Sequence, residues 1–201
     1  MAMKQMRLAI LPVLLFFFIP PAEAQWEPAK RLTWTTGSSS FPRIAVDSTG
    51  YLHLVWREET SGYFNVYYKR GNSSGSAWTA DKRLTWASGT FADPVIAVDS
   101  TDKLHLFWTD NAAGNFEIHY RNSINKGDSW STVRRLTWTS GASWSPAVAI
   151  DSLDCLHVVW HDDTAAPPSR RSITRRARLE EPPGPQSKGL LGPRGILIMP
   201  P

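Results

Sequence analysis

Three histidines and three aspartates are the first residues to suggest chemistry, because they fall at equal intervals. His53, His105 and His157 are 52 residues apart, and so are Asp47, Asp99 and Asp151. Imidazole and carboxylate could together hold a transition metal, which takes such ligands at about 2 Å. The interval argues against it: one His per copy, at one place in one strand, is separated from the next by a whole sheet. The histidines are therefore read as strand residues hydrogen-bonded to a neighbouring turn. The aspartates are read as turn caps that accept backbone N–H groups. No metal or other cofactor is expected. Cys155, the single cysteine, falls where the other copies carry Tyr51 and Lys103. It is read as an incidental strand-start residue, with no intrachain disulfide to make.

The elements that must position these groups follow the same interval. KRLTW occurs at Lys30–Trp34 and Lys82–Trp86, and RRLTW at Arg134–Trp138; of the tryptophans only Trp144 leaves the register. A fixed period of this length marks a repeat architecture. Each copy begins with a β-branched run ending in Asp (PRIAVD, PVIAVD, PAVAID), followed by a short turn and an alternating segment (YLHLVW, KLHLFW, CLHVVW). A third strand comes next as FNVYYKR or FEIHYRN, and RLTW is the fourth. No segment shows helical periodicity. The fold class expected is all-β: a partial β-propeller built of four-stranded antiparallel blades with a 52-residue repeat. The periodic tryptophans are expected to fill the space between neighbouring sheets, the RLTW indoles sealing one blade against the next.

The segment Ser123-Ile124-Asn125-Lys126-Gly127-Asp128-Ser129-Trp130 resembles the Asp-box, the S-x-D-x-G-x-T-W turn of sialidase-like β-propellers, also called the BNR repeat. Asn125 replaces the usual Asp and Ser129 the usual Thr; the first copy keeps only the Gly and Trp, at Gly75 and Trp78. The resemblance covers roughly residues 26 to 165. It implies a structural role for Ser123, Asn125, Gly127, Asp128 and Trp130, as the link between third and fourth strands. It also implies what catalysis would need: an arginine triad, an acid/base Asp and a Tyr activated by Glu. Arg43 in FPRIAV is similar to the family's F-R-I-P segment, but later copies have Val95 and Ala147 there, and Arg31, Arg83 and Arg135 are themselves periodic. With no catalytic set assembled, the chain is expected not to be an enzyme. It is read as a truncated propeller that binds glycan or protein, or serves as a scaffold. The alternative is an exo-α-sialidase or related glycoside hydrolase whose catalytic residues are missing. Trp144, placed in the loop GASWSP, is the candidate ligand contact.

Residues 1–24 read as a signal peptide: Lys4 and Arg7, then LAILPVLLFFFI, then Ala22-Glu23-Ala24. A secreted, periplasmic or extracellular protein with no membrane attachment after cleavage is expected. Residues 25–165 are the repeats: an outer strand, two full blades and half of a third. Residues 166–201, rich in Pro, Arg and Gly, read as a disordered tail. That tail has a second reading. From Arg170, codons taken from the last base of one residue and the first two of the next can spell EIYYKKGSTGGATWSPVKRLTWTSG, a fourth repeat out of frame. Of the formal charge of +4, residues 1–24 supply +1 and residues 166–201 supply +5, which leaves the repeats at −2. A nucleic-acid partner is therefore not expected. An open array leaves apolar faces uncovered, so a homo-oligomer that closes the ring is an expected partner beside extracellular glycan or protein.

Overall fold

The computed structural model describes residues 27–86, 88–89 and 92–163, together with the backbone of 175–179. The signal-peptide expectation, and the tail expectation apart from that short strand, fall outside the described residues. The chain divides into Met1–Leu32 and Thr33–Pro201. In the first unit, residues 27–32 carry no regular element. All the described strands belong to the second.

Strands β1 (Ser39–Val46), β2 (Leu52–Thr60), β3 (Tyr63–Gly71) and β4 (Lys82–Arg83) form an antiparallel sheet in that order. Strands β5 (Val95–Val98), β6 (Leu104–Asp110), β7 (Glu117–Ser123) and β8 (Arg134–Arg135) repeat it. The third sheet holds β9 (Ser143–Ile150) and β10 (Leu156–Asp162), with β11 (Arg175–Leu179) paired along the far edge of β10. There is no helix among the described residues. The predicted all-β, four-stranded architecture is what is observed. A short stretch of the tail is strand where disorder was expected. The first KRLTW copy forms no strand, and no strand precedes it among the described residues.

The turn from β1 to β2 is made by its aspartate. Asp47 accepts from the Thr49 N–H at 2.9 Å, the Thr49 hydroxyl at 2.7 Å and the Tyr51 N–H at 2.9 Å. Asp99 does the same for its sheet, and Asp151 accepts from the Leu153 and Cys155 N–H groups, Leu153 having no hydroxyl to add.

Each sheet has two apolar faces, so the sheets stack. Val55, Val66, Tyr68 and Leu84 of the first form one core with Ile96, Leu104, Leu106 and Trp108 of the second. Phe107, Ile118 and Tyr120 form another with Leu156, Val158 and Trp160 of the third. Fully burying one such side chain contributes about 1.5–3 kcal/mol, so these two seams carry most of the stability.

The tryptophans divide by role. Trp56, Trp108 and Trp160 are buried fillers, and Trp78 and Trp130 are half-buried. The RLTW indoles do not seal the sheets: Trp34, Trp86 and Trp138 are 70%, 73% and 71% exposed. The cause is where the outer strand ends. Leu84 is the residue that enters the core, its N–H donating to Val66 O, while the Thr85 hydroxyl accepts from the Val66 N–H at 2.9 Å. The threonine takes the ladder position, and the backbone has left the sheet before the indole is reached. Leu136, Thr137 and Ile118 repeat this in the second sheet.

Candidate functional site

Strand register sorts the connections onto two ends. The β1–β2 and β3–β4 turns lie at one end. At the other lie the β2–β3 turns and the connections that cross from an outermost strand to the next innermost one.

The first end is structural. His53 Nε2 lies 3.3 Å from Asp47 Oδ2, and His53 Nδ1 lies 2.9 Å from the Tyr68 hydroxyl. His105 repeats this with Asp99 at 3.0 Å and Tyr120 at 2.9 Å, and His157 with Asp151 at 2.8 Å. Burial alone would raise the Asp47 carboxyl, but hydrogen bonds from Thr49, the Tyr51 N–H, His53 and Lys126 outweigh it and hold it well below the usual range. Burial lowers His53 despite that carboxylate, and burial pushes Tyr68 up. Asp151, bonded by His157 and by the Cys155 and Leu153 N–H groups, falls to about 2. The same end pins sheet to sheet. Asp102 accepts from the Ser48 N–H and hydroxyl, both at 2.7 Å, and Asp154 accepts from the Ser100 N–H at 2.9 Å.

The Asp-box-like turn lies there too. The Ser123 hydroxyl donates to Asn125 Oδ1 at 3.0 Å and accepts from the Gly127 N–H at 2.9 Å. Asn125 Oδ1 accepts from the Ser129 N–H at 2.9 Å, and the Trp130 indole N–H donates to Gly127 O at 3.2 Å. Lys126 O then accepts from the Tyr68 hydroxyl and from Arg70 of the first sheet, both at 2.9 Å, and Asp128 pairs with Arg70 at 3.4 Å. All of these contacts stay within the protein.

The opposite end holds a cavity of about 640 Å³, walled by residues 35–38, 58–62 and Tyr67. Glu58, 1% exposed, stands in its wall. Glu58 Oε2 accepts from the Ser39 hydroxyl at 2.6 Å and the Trp56 indole N–H at 3.0 Å. Glu58 Oε1 is buried with no hydrogen-bond partner among the described residues. Gly37 makes the wall close: a Cβ there would collide with Glu59 O and stand 3.3 Å from Glu58 Oε1. A buried carboxylate oxygen left unpaired is costly, and such costs are tolerated where a ligand supplies the missing partner. Thr35, Thr36, Ser38, Thr60, Ser61 and Tyr67 bring hydroxyls to the same wall.

Sequence reasoning did not single out Glu58. Its signal is a substitution within the repeat: Glu58 falls in register with Asp110 and Asp162. The aspartates are one methylene shorter, and in their sheets the Trp108 and Trp160 indole N–H groups have no partner among the described residues. Trp144 is not in a loop. It belongs to β9, opposite His161, with its ring edge-on to Phe116 at 6.1 Å and its surface 36% exposed. It is remote in sequence from the cavity wall and does not line it. Among the described residues no group of three or more His, Cys, Asp or Glu is placed to hold a metal ion.

No protein-family model and no curated protein matches the sequence. Solved structures do match the fold. The endo-arabinase from Bacteroides thetaiotaomicron VPI-5482 is similar over 75% of this chain and 59% of its own, with 17% identity and a TM-score of 0.53. The catalytic domain of the Coprinopsis cinerea GH62 α-L-arabinofuranosidase covers 62% of this chain and 43% of its own, at 17% identity and a TM-score of 0.44. A structure from the GH130 family of mannoside phosphorylases covers 71% and 52%, at 13% identity and 0.46. The chain thus spans less than two thirds of the length of these proteins. Its fold is a partial β-propeller of a kind found in carbohydrate-active proteins. The expectation that the chain is not an enzyme is corrected by this finding, because the fold it shares with the endo-arabinase is an enzyme's. That expectation rested on the absence of a sialidase residue set, which is no test for other glycoside chemistry.

Proposed function

We propose that this chain is part of a glycan-processing β-propeller of the glycoside-hydrolase kind, and that the cavity around Glu58 takes a sugar unit. One observation carries the reading: the buried Glu58 carboxylate has one oxygen anchored and the other unpaired, in the wall of a hydroxyl-lined cavity of about 640 Å³. That volume lies within the range of small-molecule sites. Glu58 Oε1 is closed off from solvent behind Gly37, so a sugar hydroxyl reaches it only once that wall shifts, and the bond then made is charge-assisted. Glycoside hydrolysis takes two carboxyl groups, one as acid and one as base or nucleophile. Glu58 is the candidate for one of them; Glu59, the next residue of β2, points to the opposite face and meets the wall through its backbone. The endo-arabinase likeness in fold supports a glycan substrate, and the leader-like residues 1–24 support export.

The test is calorimetric titration with arabino-, xylo- and manno-oligosaccharides and sialyllactose, alongside assays of reducing-sugar release. Glu58→Gln keeps the shape and removes the charge. At least one oligosaccharide should bind, with affinity falling about tenfold or more in Glu58→Gln, as loss of a charge-assisted bond costs about 1.5–3 kcal/mol. Reducing-sugar release should be lost in Glu58→Gln. Binding unchanged by Glu58→Gln would overturn the site assignment. Release from sialyllactose would favour the sialidase-like reading suggested by the 123–130 turn.

A further inference from the structure

The exposed RLTW indoles are unexplained by the fold. A missing neighbour does not account for them, since Trp86 lies in the connection from the first sheet to the second and Trp138 in that from the second to the third, and in both pairs the sheets pack on each other. Ile44 and Val46 show what a missing neighbour does: they are 58% and 57% exposed on the first sheet, whereas Ile96, the counterpart of Ile44, is 7% exposed in the second. Exposed positions are kept in some places, as at Ser48, Ser100 and Ser152, the first two of which bond to the next sheet, and changed in others. Ser76 is matched by Asp128 and Asp81 by Val133, all exposed. The indole is kept three times where packing does not require it.

Its surroundings are kept as well. The Arg83 guanidinium carbon lies 5.8 Å from the Trp86 ring centre, and that of Arg135 lies 5.7 Å from Trp138. Each guanidinium is fixed by its Nε–H, which donates to Thr85 O or Thr137 O at 2.7 Å. A flat apolar ring edged by a guanidinium donor matches a sugar, whose C–H face is apolar and whose rim is polar. Membrane or protein docking calls for a contiguous apolar patch, and these rings are set singly in polar ground.

We propose that Trp34, Trp86 and Trp138 are stacking platforms, one per RLTW copy, on which a polysaccharide chain lies across the same end as the Glu58 cavity. The inference rests on reading the protein as glycan-handling, but it concerns a different site. The test is affinity electrophoresis of the full chain through gels containing soluble arabinan, xylan or mannan, with Trp86→Ala, Trp138→Ala and the double variant, and with Trp86→Phe as the conservative control. At least one polymer should retard the wild type. Each Ala variant should weaken retardation about fivefold, on the scale of single aromatic contacts, and the double variant more. Trp86→Phe should keep most of it. Melting temperatures should not change, because the rings are exposed, and oligosaccharide binding at the Glu58 cavity should persist. Retardation undiminished in the double variant would overturn the proposal, as would no retardation by any polymer. So would a wild type that binds phosphatidylcholine vesicles and no polysaccharide. Loss of polymer retention in the wild type with the oligosaccharide titration intact sinks the platforms and spares the cavity; the reverse spares the platforms.

Discussion

The Tyr68 hydroxyl meets His53 Nδ1 within its own sheet and donates to Lys126 O in the next, so one buried group ties two blades. Tyr68→Phe keeps the ring's edge-on contact with Trp130 and leaves a buried imidazole nitrogen unpaired. It should cost about 1–3 kcal/mol, read as a lower urea midpoint, whereas Tyr63→Phe on the exposed turn should stay within about 0.5 kcal/mol. The same cluster sets the response to pH. His53 and His119 are both lowered, chiefly by burial, so the unfolded chain binds their protons more readily. Stability should therefore fall as pH drops below about 6.5, the ordinary histidine value, and fall again below about 4 as Asp47, Asp99 and Asp151 lose the stabilisation that lowers them. Thermal melts from pH 8 to pH 3 check this; constant stability between pH 7 and pH 5 would contradict it. The Asp turn chemistry was legible in the sequence, because an Asp ahead of a short polar turn accepts the turn's backbone N–H groups. Glu58 was half hidden: the sequence marks it as the one Glu among three periodic acids, but not that one of its oxygens is left unpaired.

Turns are where an element tolerates least. Gly127 has φ +84, and a Cβ there would run into the Tyr68 phenol; Gly62 has φ +80 with nothing within 4 Å. Gly62→Ala should therefore cost only the left-handed backbone penalty, about 1 kcal/mol. Gly127→Ala adds a clash with a buried ring and should cost more than about 3 kcal/mol, or prevent folding. Equal midpoints for the two would show that the 123–130 turn does not lock the sheets together. Strand number, order and the β1–β2 turns could be read from alternation and Asp spacing. Two features could not. Periodicity says that an indole recurs and not which way it faces; that was decided by Thr85 and Thr137 hydroxyls ending the outer strands. The run around Trp144 carries Gly, Ser and Pro and so reads as a loop, yet β9 absorbs Pro146 at a register shift beside Ser145, whose φ is +51. Proline is admitted to a sheet at such irregularities.

Across the whole molecule, each sheet is covered by its neighbours, and the first sheet shows Ile44 and Val46 where another would sit. The third sheet has Asp151 and His157 in place, with no tyrosine bonded to His157 among the described residues. The shifted-frame peptide EIYYKK would put Tyr in register with Tyr120. We therefore expect the coding sequence over residues 170–195 to spell that fourth repeat one base out of phase, which nucleotide sequencing decides. A chain with the frame restored should melt higher than this one, because it completes the third blade; an unchanged melting temperature would count against it. The repeat and its blade-like sheets were legible in the sequence, whereas the link to glycan-active enzymes came only from the fold, since identity to the endo-arabinase is 17%.

In the function proposed, the two ends of the sheets divide the labour: turns 47–51 and 123–130 hold the blades, while residues 35–38, 58–62 and the RLTW indoles are the ones to meet glycan. Amide hydrogen exchange, with and without the best-bound oligosaccharide of the panel, reads both ends at once. Exchange should slow in 35–38 and 58–62 and stay unchanged in 47–51 and 123–130. Protection centred on 47–51 or 123–130, with none at 58–62, would refute the division.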